Sequence, residues 1–130
     1  MTTNDFKTLF FDTYAFVEIL KGNASYEPCK QDIAILTTRL NLMELHHCML
    51  REAGKEKADY HYDFFLPFTV KIENNILKKA SELRHSLKKV KGKKVSYVDC
   101  IGYLIAQKQR IPFLTGDEQF RNMENVLFVK

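Results

Sequence analysis

Four acidic residues stand where a folded chain could bring them together. Asp12 and Asp117 each come after an apolar run that is typical of a strand, Glu44 lies in an apolar helical segment, and Asp99 lies near the start of another helix. Carboxylates that converge without cationic neighbours repel one another, and a hard cation such as Mg²⁺ or Mn²⁺ relieves that repulsion. Such a cation polarises a bound phosphate and activates water. The pattern therefore favours metal-assisted phosphoryl chemistry.

Each of these acids also has a structural interpretation. Asp12 could simply shape a strand-to-helix turn, and Asp117 could be a turn residue or the N-cap of a short helix. Asp99 follows Ser96 by three residues, which is the spacing of a capping box. At the level of single residues, both interpretations stay open.

Glu44 has fewer structural explanations. We expect the helix over 39–52 to be largely buried, because apolar side chains surround nearly its whole circumference: Leu40, Leu42, Met43, Leu45, Cys48, Met49 and Leu50. A carboxylate beside a core is costly unless it is paired or bound to a metal ion. Arg51, two turns further on, is the alternative partner.

The elements that must position these acids alternate between strand and helix, which predicts a parallel sheet covered on both faces. In such sheets chemistry gathers at the carboxyl ends of the strands. Thr13 is the predicted N-cap of the first helix, and the segment 23–32 is predicted to be a loop or broken helix. Strands are predicted at 7–11, 33–36, 68–72, 112–114 and 126–129, and helices at 14–20, 39–52, 55–65, 76–90, 96–109 and, as a single turn, 117–120.

The bulk composition excludes several classes of protein. A chain of 130 residues fits one domain spanning 1–130, and no run approaches the ~18 apolar residues of a membrane span. The first residues lack a secretory signal, so we expect a cytoplasmic protein without membrane contact. The odd number of cysteines, Cys29, Cys48 and Cys100, and their spacing favour small buried side chains over disulfides or zinc ligands.

The net charge of +4 is mild, but the basic residues are unevenly distributed. A lysine-rich stretch precedes Asp99, and a local positive potential of this kind attracts polyanions such as RNA. A solvated helix face followed by a lysine-rich turn explains the stretch equally well. The candidate RNA-binding residues are Lys88, Lys89, Lys91, Lys93 and Lys94.

Four segments in order give the chain its resemblance to a known family: FFDTYAFVEIL with Asp12, TTRLNLMELHHCMLRE with Glu44, SYVDCIGYLIAQKQRIPFLTGDEQF with Asp99 and Asp117, and VLFV. Across residues 8–129 the sequence resembles the PIN-domain nucleases, especially the VapC-type toxins of toxin–antitoxin pairs. The Thr-x-Asp-x-x-Phe element of that family is matched by Thr115, Asp117 and Phe120. The resemblance makes the four acids catalytic and metal-binding residues, with Thr13 and Thr115 expected to support them.

The resemblance implies a three-layer α/β/α sandwich with a mostly parallel sheet of about five strands. It also implies an Mg²⁺- or Mn²⁺-dependent endoribonuclease, a homodimer, and an antitoxin that blocks the site. Two alternatives stay within the family: a catalytically silent RNA-binding or scaffold module, and an RNA-processing nuclease outside any toxin–antitoxin system. A phosphoacceptor receiver domain and a glycine-loop nucleotide-binding protein are disfavoured, because the paired acids of the first and the glycine-rich turn of the second are missing from the sequence.

Overall fold

A computed structural model of the protein describes residues 6–130. Five α-helices and four β-strands alternate along this part of the chain, with short 3-10 turns between them. The strands are β1 (Thr8–Phe11), β2 (Ala34–Leu36), β3 (Phe113–Thr115) and β4 (Val126–Phe128). The helices are α1 (Thr13–Leu20), α2 (Arg39–Ala53), α3 (Lys55–Phe65), α4 (Asn74–Leu87) and α5 (Tyr97–Gln109).

The four strands form one parallel sheet in the order β2-β1-β3-β4. In register, Leu9 of β1 pairs with Ile35 of β2, and Phe11 pairs with Leu114 of β3. Because every strand runs in the same direction, all four carboxyl ends lie at one edge of the sheet. That edge carries the segments that begin at Asp12 and Asp117.

Alternation along β1 divides the core into two layers, because successive side chains of a strand point to opposite faces. Leu9 and Phe11 pack with residues of α1, α2 and α3, whereas Phe10 packs with residues of α4 and α5. Helices therefore cover both faces of the sheet. The structure confirms the predicted α/β/α sandwich.

The predicted strand at 68–72 is reduced to a single bridge. Thr37 and Thr69 pair in parallel beside β2, and Val70 N–H donates to the Thr37 carbonyl oxygen at 2.9 Å. The start of the segment is taken up by a 3-10 turn, Leu66–Phe68, in which the Thr69 N–H and hydroxyl both donate to the Leu66 carbonyl oxygen. The alternating pattern instead reflects Val70 and Ile72, which pack against the α4 and α5 core. The described residues thus form a sheet of four strands.

The expectation that α2 is largely buried is wrong. Leu42 and Leu45 are completely buried, but Met43 is 55% exposed and Leu50 is 42% exposed. A helix on the outside of a sandwich has one face that no other element covers, and single large apolar residues on such a face are common.

The structure tests the expectation that the three cysteines are buried. Cys29 and Cys100 are buried and Cys48 is partly buried, as the sequence predicts. Within residues 6–130, no helix is both long enough and apolar enough to cross a bilayer.

Candidate metal centre

Asp12 lies at the centre of the acidic site. It directly follows β1, its backbone N–H donates to the Leu114 carbonyl oxygen, and its side chain is only 2% exposed. The Thr115 hydroxyl donates to Asp12 Oδ2 at 2.7 Å. Asp12 Oδ1 is buried and accepts no hydrogen bond of ordinary geometry from any residue in 6–130. A buried carboxylate oxygen without a partner is rare and calls for a ligand or a proton.

Burial, together with the neighbouring Asp99 and Glu44 carboxylates, raises the pKa of the Asp12 carboxyl to about 8. Hydrogen bonding from the Thr115 hydroxyl and the Thr13 N–H opposes this rise without cancelling it. Desolvation and like charges both disfavour the ionised form of an acid. In the absence of a cation, Asp12 therefore holds a proton at neutral pH.

Glu44 projects from α2 toward the start of α1. The Thr13 hydroxyl donates to Glu44 Oε1 at 2.7 Å, and Asn41 Nδ2 donates to Thr13 Oγ1 at 3.1 Å. The prediction that Thr13 is the N-cap of α1 is wrong. Asp12 occupies the cap position, and Thr13 is the first residue of the helix. Its hydroxyl is thereby left to orient Glu44. The alternative partner Arg51 is exposed and forms no ion pair with Glu44 among the described residues.

Asn41 is a buried positioning residue to which sequence reasoning assigned no role. Its side-chain carbonyl accepts from the Thr38 hydroxyl at 2.6 Å, and its backbone N–H donates to Thr38 Oγ1 at 3.2 Å. Both side chains are completely buried. The local sign in the sequence is a polar residue between Leu40 and Leu42, one turn before Glu44. The Thr38–Asn41–Thr13 network fixes the direction in which Glu44 projects.

Asp99 does form the capping box that its spacing predicts. Asp99 Oδ2 accepts from the Ser96 N–H at 3.0 Å, and the Asp99 N–H donates to Ser96 Oγ at 3.1 Å. Burial nevertheless raises the pKa of Asp99 to about 6, and the Glu44 and Asp117 carboxylates contribute to the rise. The hydrogen bonds from Ser96 lower this pKa but only in part. Asp99 thus caps α5 while facing the other acids.

Asp117 is the N-cap of the 3-10 turn Glu118–Phe120, which matches its structural interpretation. Asp117 Oδ1 accepts from the Gln119 N–H at 3.0 Å. Its own N–H donates to Thr115 Oγ1 at 3.1 Å. Thr115 therefore connects two of the acids: its hydroxyl donates to Asp12 and accepts from the backbone of Asp117.

The four acids influence one another as a single group. Asp12 is perturbed by Asp99 and Glu44, and Asp99 is perturbed by Glu44 and Asp117. The largest influences on either carboxyl include no Lys, Arg or His side chain. Within residues 6–130, no three Asp, Glu, His or Cys side chains lie close enough together to hold a metal ion in this structure.

The donor set still fits a hard divalent cation. It offers carboxylate oxygens, which suit Mg²⁺ and Mn²⁺, and one of these oxygens is buried with no partner. The N-termini of α1 and α5 also begin at the site, and their partial positive charge favours the carboxylates.

The lysine-rich stretch lies beside this site. The Lys94 N–H donates to Gln119 Oε1 at 2.7 Å, and the Lys93 ammonium donates to the Gln119 carbonyl oxygen. Gln119, which the sequence reasoning did not single out, therefore ties the stretch to the turn that Asp117 caps. Lys88, Lys93 and Lys94 line a cleft there, whereas Lys89 and Lys91 are exposed outside it.

Several solved structures share this fold at low sequence identity. VapC20 from Mycobacterium tuberculosis, described as a sarcin–ricin loop cleaving toxin, is 16% identical with a TM-score of 0.75, over 94% of this chain and 99% of that one. A toxin–antitoxin complex from Klebsiella pneumoniae is 16% identical with a TM-score of 0.70, over 92% and 95%. VapBC2 from Rickettsia felis, bound to a promoter DNA fragment, is 20% identical with a TM-score of 0.66, over 93% and 96%.

At the level of sequence, no curated protein matches the chain significantly. The profile of the PIN domain family matches residues 9–126, which include all four acids, every α-helix, β2 and β3, most of β1 and the first residue of β4. A match of this extent establishes the family that the motifs had indicated. The chain belongs to the PIN domain family.

Proposed function

We propose that this protein is a metal-dependent endoribonuclease that hydrolyses RNA phosphodiester bonds at the acidic site. The observation that carries the proposal is Asp12, a buried carboxylate with one unpartnered oxygen, whose pKa is raised by burial and by the neighbouring Asp99 and Glu44 carboxylates. An arrangement that raises the pKa of a carboxyl so far destabilises the folded protein unless a bound ligand stabilises the ionised carboxylate. Membership in a family of nucleases supports the same conclusion.

In this proposal Asp12, Glu44, Asp99 and Asp117 hold Mg²⁺ or Mn²⁺. The cation supplies Lewis acidity toward the phosphodiester and the attacking water. Thr115 holds Asp12 by one oxygen, so that the unpartnered Oδ1 stays directed into the site. Thr13 holds Glu44 by Oε1 in the same way. The two hydroxyls are therefore positioning groups, each fixing one carboxylate while leaving it an oxygen for the cation.

RNA as the substrate is supported by a structural neighbour and by charge. VapC20, which shares the fold, is described as cleaving the sarcin–ricin loop. The lysine-rich stretch provides positive potential directly beside the acids, and backbone phosphates are attracted to such potential irrespective of sequence.

We further propose that the protein is the toxin of a toxin–antitoxin pair, with an antitoxin partner and a homodimeric state. Solved neighbours from Klebsiella pneumoniae and Rickettsia felis are toxin–antitoxin assemblies. The surface also carries large exposed apolar side chains on and after α3, which are typical of protein–protein contacts: Tyr60, Phe64, Leu66 and Phe68.

The nuclease proposal is tested with purified protein and labelled RNA, in Mn²⁺, in Mg²⁺ and in chelator. Wild type is expected to cleave only with metal. Asp12→Asn, Glu44→Gln, Asp99→Asn and Asp117→Asn are each expected to lose at least about a hundredfold in rate, in line with the loss of electrostatic groups at other active sites. Asp63→Asn is the matched control, because Asp63 is an exposed acid on α3 away from the site.

Two outcomes would contradict the proposal. If two of the four variants kept near wild-type activity, the acids would not form the active site. If wild type bound RNA but did not cleave it in either metal, the protein would be the catalytically silent module. Toxin function is tested separately, since induced expression should arrest growth for wild type but not for Asp12→Asn, and RNA cleavage without growth arrest would indicate an RNA-processing enzyme.

A further inference from the structure

The cleft beside the acidic site is lined by several cationic side chains and by no acidic one. It has a volume of about 380 Å³ and lies between the end of α4 and the start of α5. Its lining residues are Arg84, Leu87, Lys88, Lys93, Lys94, Val95 and Ser96. Four cationic side chains and no acid produce a concentrated positive potential, which selects anions.

Arg84 is held in this cleft by two contacts that leave part of its guanidinium unused. Its Nε–H donates to the Val95 carbonyl oxygen at 3.2 Å, and its Cζ lies 4.3 Å from the centre of the Tyr97 ring. Among the described residues, its two Nη groups form no hydrogen bond or salt bridge. A guanidinium fixed in this way has its terminal N–H pair ready for a phosphate, for which a planar fork is well matched.

Tyr97 does not line the cleft itself but places an aromatic ring at its edge, against Arg84. The ring is covered on one side by Arg84, yet the residue remains 56% exposed. The Tyr97 hydroxyl forms no hydrogen bond with the described residues. Neither a hydrogen bond nor burial therefore explains why the ring lies beside Arg84. An exposed aromatic ring next to cationic groups is the combination on which unpaired bases stack while their backbone is neutralised.

The cleft is connected to the acidic site through hydrogen bonds on two sides. Ser96 lines the cleft and caps α5, and its N–H donates to Asp99 Oδ2. On the other side, Gln119 accepts from the Lys93 ammonium and from the Lys94 N–H, while its own N–H donates to Asp117 Oδ1. Asp99 and Asp117 are therefore each one hydrogen-bonded residue away from the cleft.

From this geometry we propose that the cleft is a nucleotide subsite for single-stranded RNA, next to the scissile bond. Arg84, Lys88 and Lys94 bind successive backbone phosphates, and the exposed face of Tyr97 stacks a base beside them. Lys93 is a positioning residue, because its ammonium is engaged by Gln119. A duplex does not offer an unstacked base, so the subsite selects unpaired RNA. The inference rests on the proposed ribonuclease function and names where its substrate lies.

The phosphate contacts are tested with two pairs of substitutions that change the net charge equally. Lys88→Gln with Lys94→Gln removes two cations from the cleft, and Lys89→Gln with Lys91→Gln removes two exposed cations outside it. Binding of a fluorescent single-stranded RNA to full-length protein is measured in chelator, where no cleavage occurs. The cleft pair is expected to weaken binding about tenfold and to reduce the salt slope by about 1.4, which is the value for two phosphate contacts to a single strand. The outer pair should change binding less than twofold.

The stacking contact is tested at Tyr97. Tyr97→Leu keeps apolar bulk but removes the ring, and it is expected to weaken binding at least about fivefold, which is the lower range for one stacked base. Tyr97→Phe keeps the ring and should bind as wild type does. In Mn²⁺ the Leu variant should raise KM for single-stranded RNA with little change in kcat, because the acids are unchanged. Thermal melts of each variant verify the fold.

The outcomes separate the subsite from the nuclease function. If wild type cleaves RNA while the cleft pair and the outer pair weaken binding equally, the subsite is wrong and the ribonuclease proposal stands. Equal binding by Tyr97→Leu and Tyr97→Phe would remove the stacking contact from the proposal. If wild type neither binds nor cleaves RNA, both proposals are overturned together.

Discussion

Thr115 shows how much of the site depends on one hydroxyl group. Its O–H donates to Asp12 Oδ2 and its oxygen accepts from the Asp117 N–H, so it fixes a buried acid and the start of the loop that carries a second one. The residue is itself completely buried. A buried polar group with both hydrogen-bonding functions satisfied is rigid, and it transmits that rigidity to its partners.

Replacing Thr115 by Val should therefore damage the site more than the size of the change suggests. Val has nearly the same shape but cannot donate or accept, so Asp12 loses its Oδ2 partner and the Asp117 N–H loses its acceptor. Stability to urea is expected to fall by about 1–3 kcal/mol, the cost of a buried group left unsatisfied. Calorimetric titration should show weaker Mn²⁺ binding, whereas Thr115→Ser should restore most of both. Equal stability and Mn²⁺ affinity of Thr115→Val and wild type would exclude the positioning role.

The sequence predicts the four acids because their residue types and their positions after strands and in helices are local properties. Asn41 and Gln119 are different, because each acts on a residue that only folding brings near. Asn41 reaches Thr13 across 28 positions, and Gln119 meets Lys94 across 25. No periodicity or spacing carries such information. Local patterns therefore identify the acids but not the groups that aim them.

At the scale of elements, α5 approaches the sheet unusually closely at one point. Gly102 lies on its buried face, and a Cβ added there would be 2.8 Å from Phe10 Cε1 and 3.2 Å from Phe113 Cε1. Phe10 and Phe113 stack on each other, with ring centres 5.6 Å apart. Because Gly102 has no side chain, α5 can pack directly on these rings. This close packing sets the distance between the sheet and the first turn of α5, which carries Asp99.

Gly102→Ala is consequently expected to destabilise the protein, although Ala is favoured over Gly within a helix by about 0.5–1 kcal/mol. Overpacking against two buried rings costs typically about 1–3 kcal/mol and should exceed that gain. The free energy of unfolding in urea measures the balance. A variant more stable than wild type would show that α5 is free to move away from the sheet. The Mn²⁺ affinity of the variant reports whether the first turn of α5 has shifted with it.

Element boundaries also show what a sequence can and cannot specify. Gly22 and Gly54 adopt positive φ angles of 79° and 91° where the helices before them end, as their positions suggest. The alternation at 68–72 was read as a strand, yet the same pattern serves an extended segment that packs Val70 and Ile72 on the core while pairing at Thr69 alone. Alternation reports which side chains are buried, whereas a strand also needs a neighbour along its length.

At the scale of the whole molecule, the topology concentrates negative charge at one edge of the sheet. The carboxyl ends of β1 and β3 and the beginnings of α1 and α5 meet there, so the acids that follow them cannot separate without unfolding. The fold here brings together carboxylates that repel one another, and such a conflict between local interactions and the overall fold is typical of functional sites. The metal-free protein should therefore show the cost of the site in its stability.

The pH dependence of that stability has a defined sign. In the unfolded chain Asp12 ionises near pH ~4, whereas in the folded protein its pKa is about 8. Between these values the folded state keeps a proton that the unfolded state has lost, so the free energy of unfolding falls as pH rises, by up to about 1.4 kcal/mol per pH unit for one group. Asp99, with a pKa of about 6, contributes over the lower part of this window.

Urea unfolding in chelator at pH 5, 6.5 and 8 measures this effect. Wild type is expected to be most stable at pH 5 and least stable at pH 8. Asp12→Asn removes the main titrating group and should flatten the curve, whereas the exposed control Asp63→Asn should leave it unchanged. A wild-type stability that rises from pH 5 to pH 8 would mean that Asp12 is ionised and stabilised in the metal-free fold.

The Asp99 side chain has two effects on stability: its charge is repelled by the other acids, and it caps α5. Substitutions at this position can separate the two. Its Oδ2 accepts from the Ser96 N–H, and its charge faces Glu44 and Asp117. Asn keeps an acceptor for Ser96 but loses the charge, whereas Ala loses both.

In chelator at pH 8, Asp99→Asn should therefore melt above wild type, and Asp99→Ala should lie below Asp99→Asn by about 0.5–2 kcal/mol, the worth of a cap. At a given concentration Mn²⁺ stabilises the folded state more when it binds more tightly, so both variants should gain less from added Mn²⁺ than wild type does. An Asn variant that melts lower in chelator and gains as much from Mn²⁺ as wild type would leave Asp99 a capping residue only.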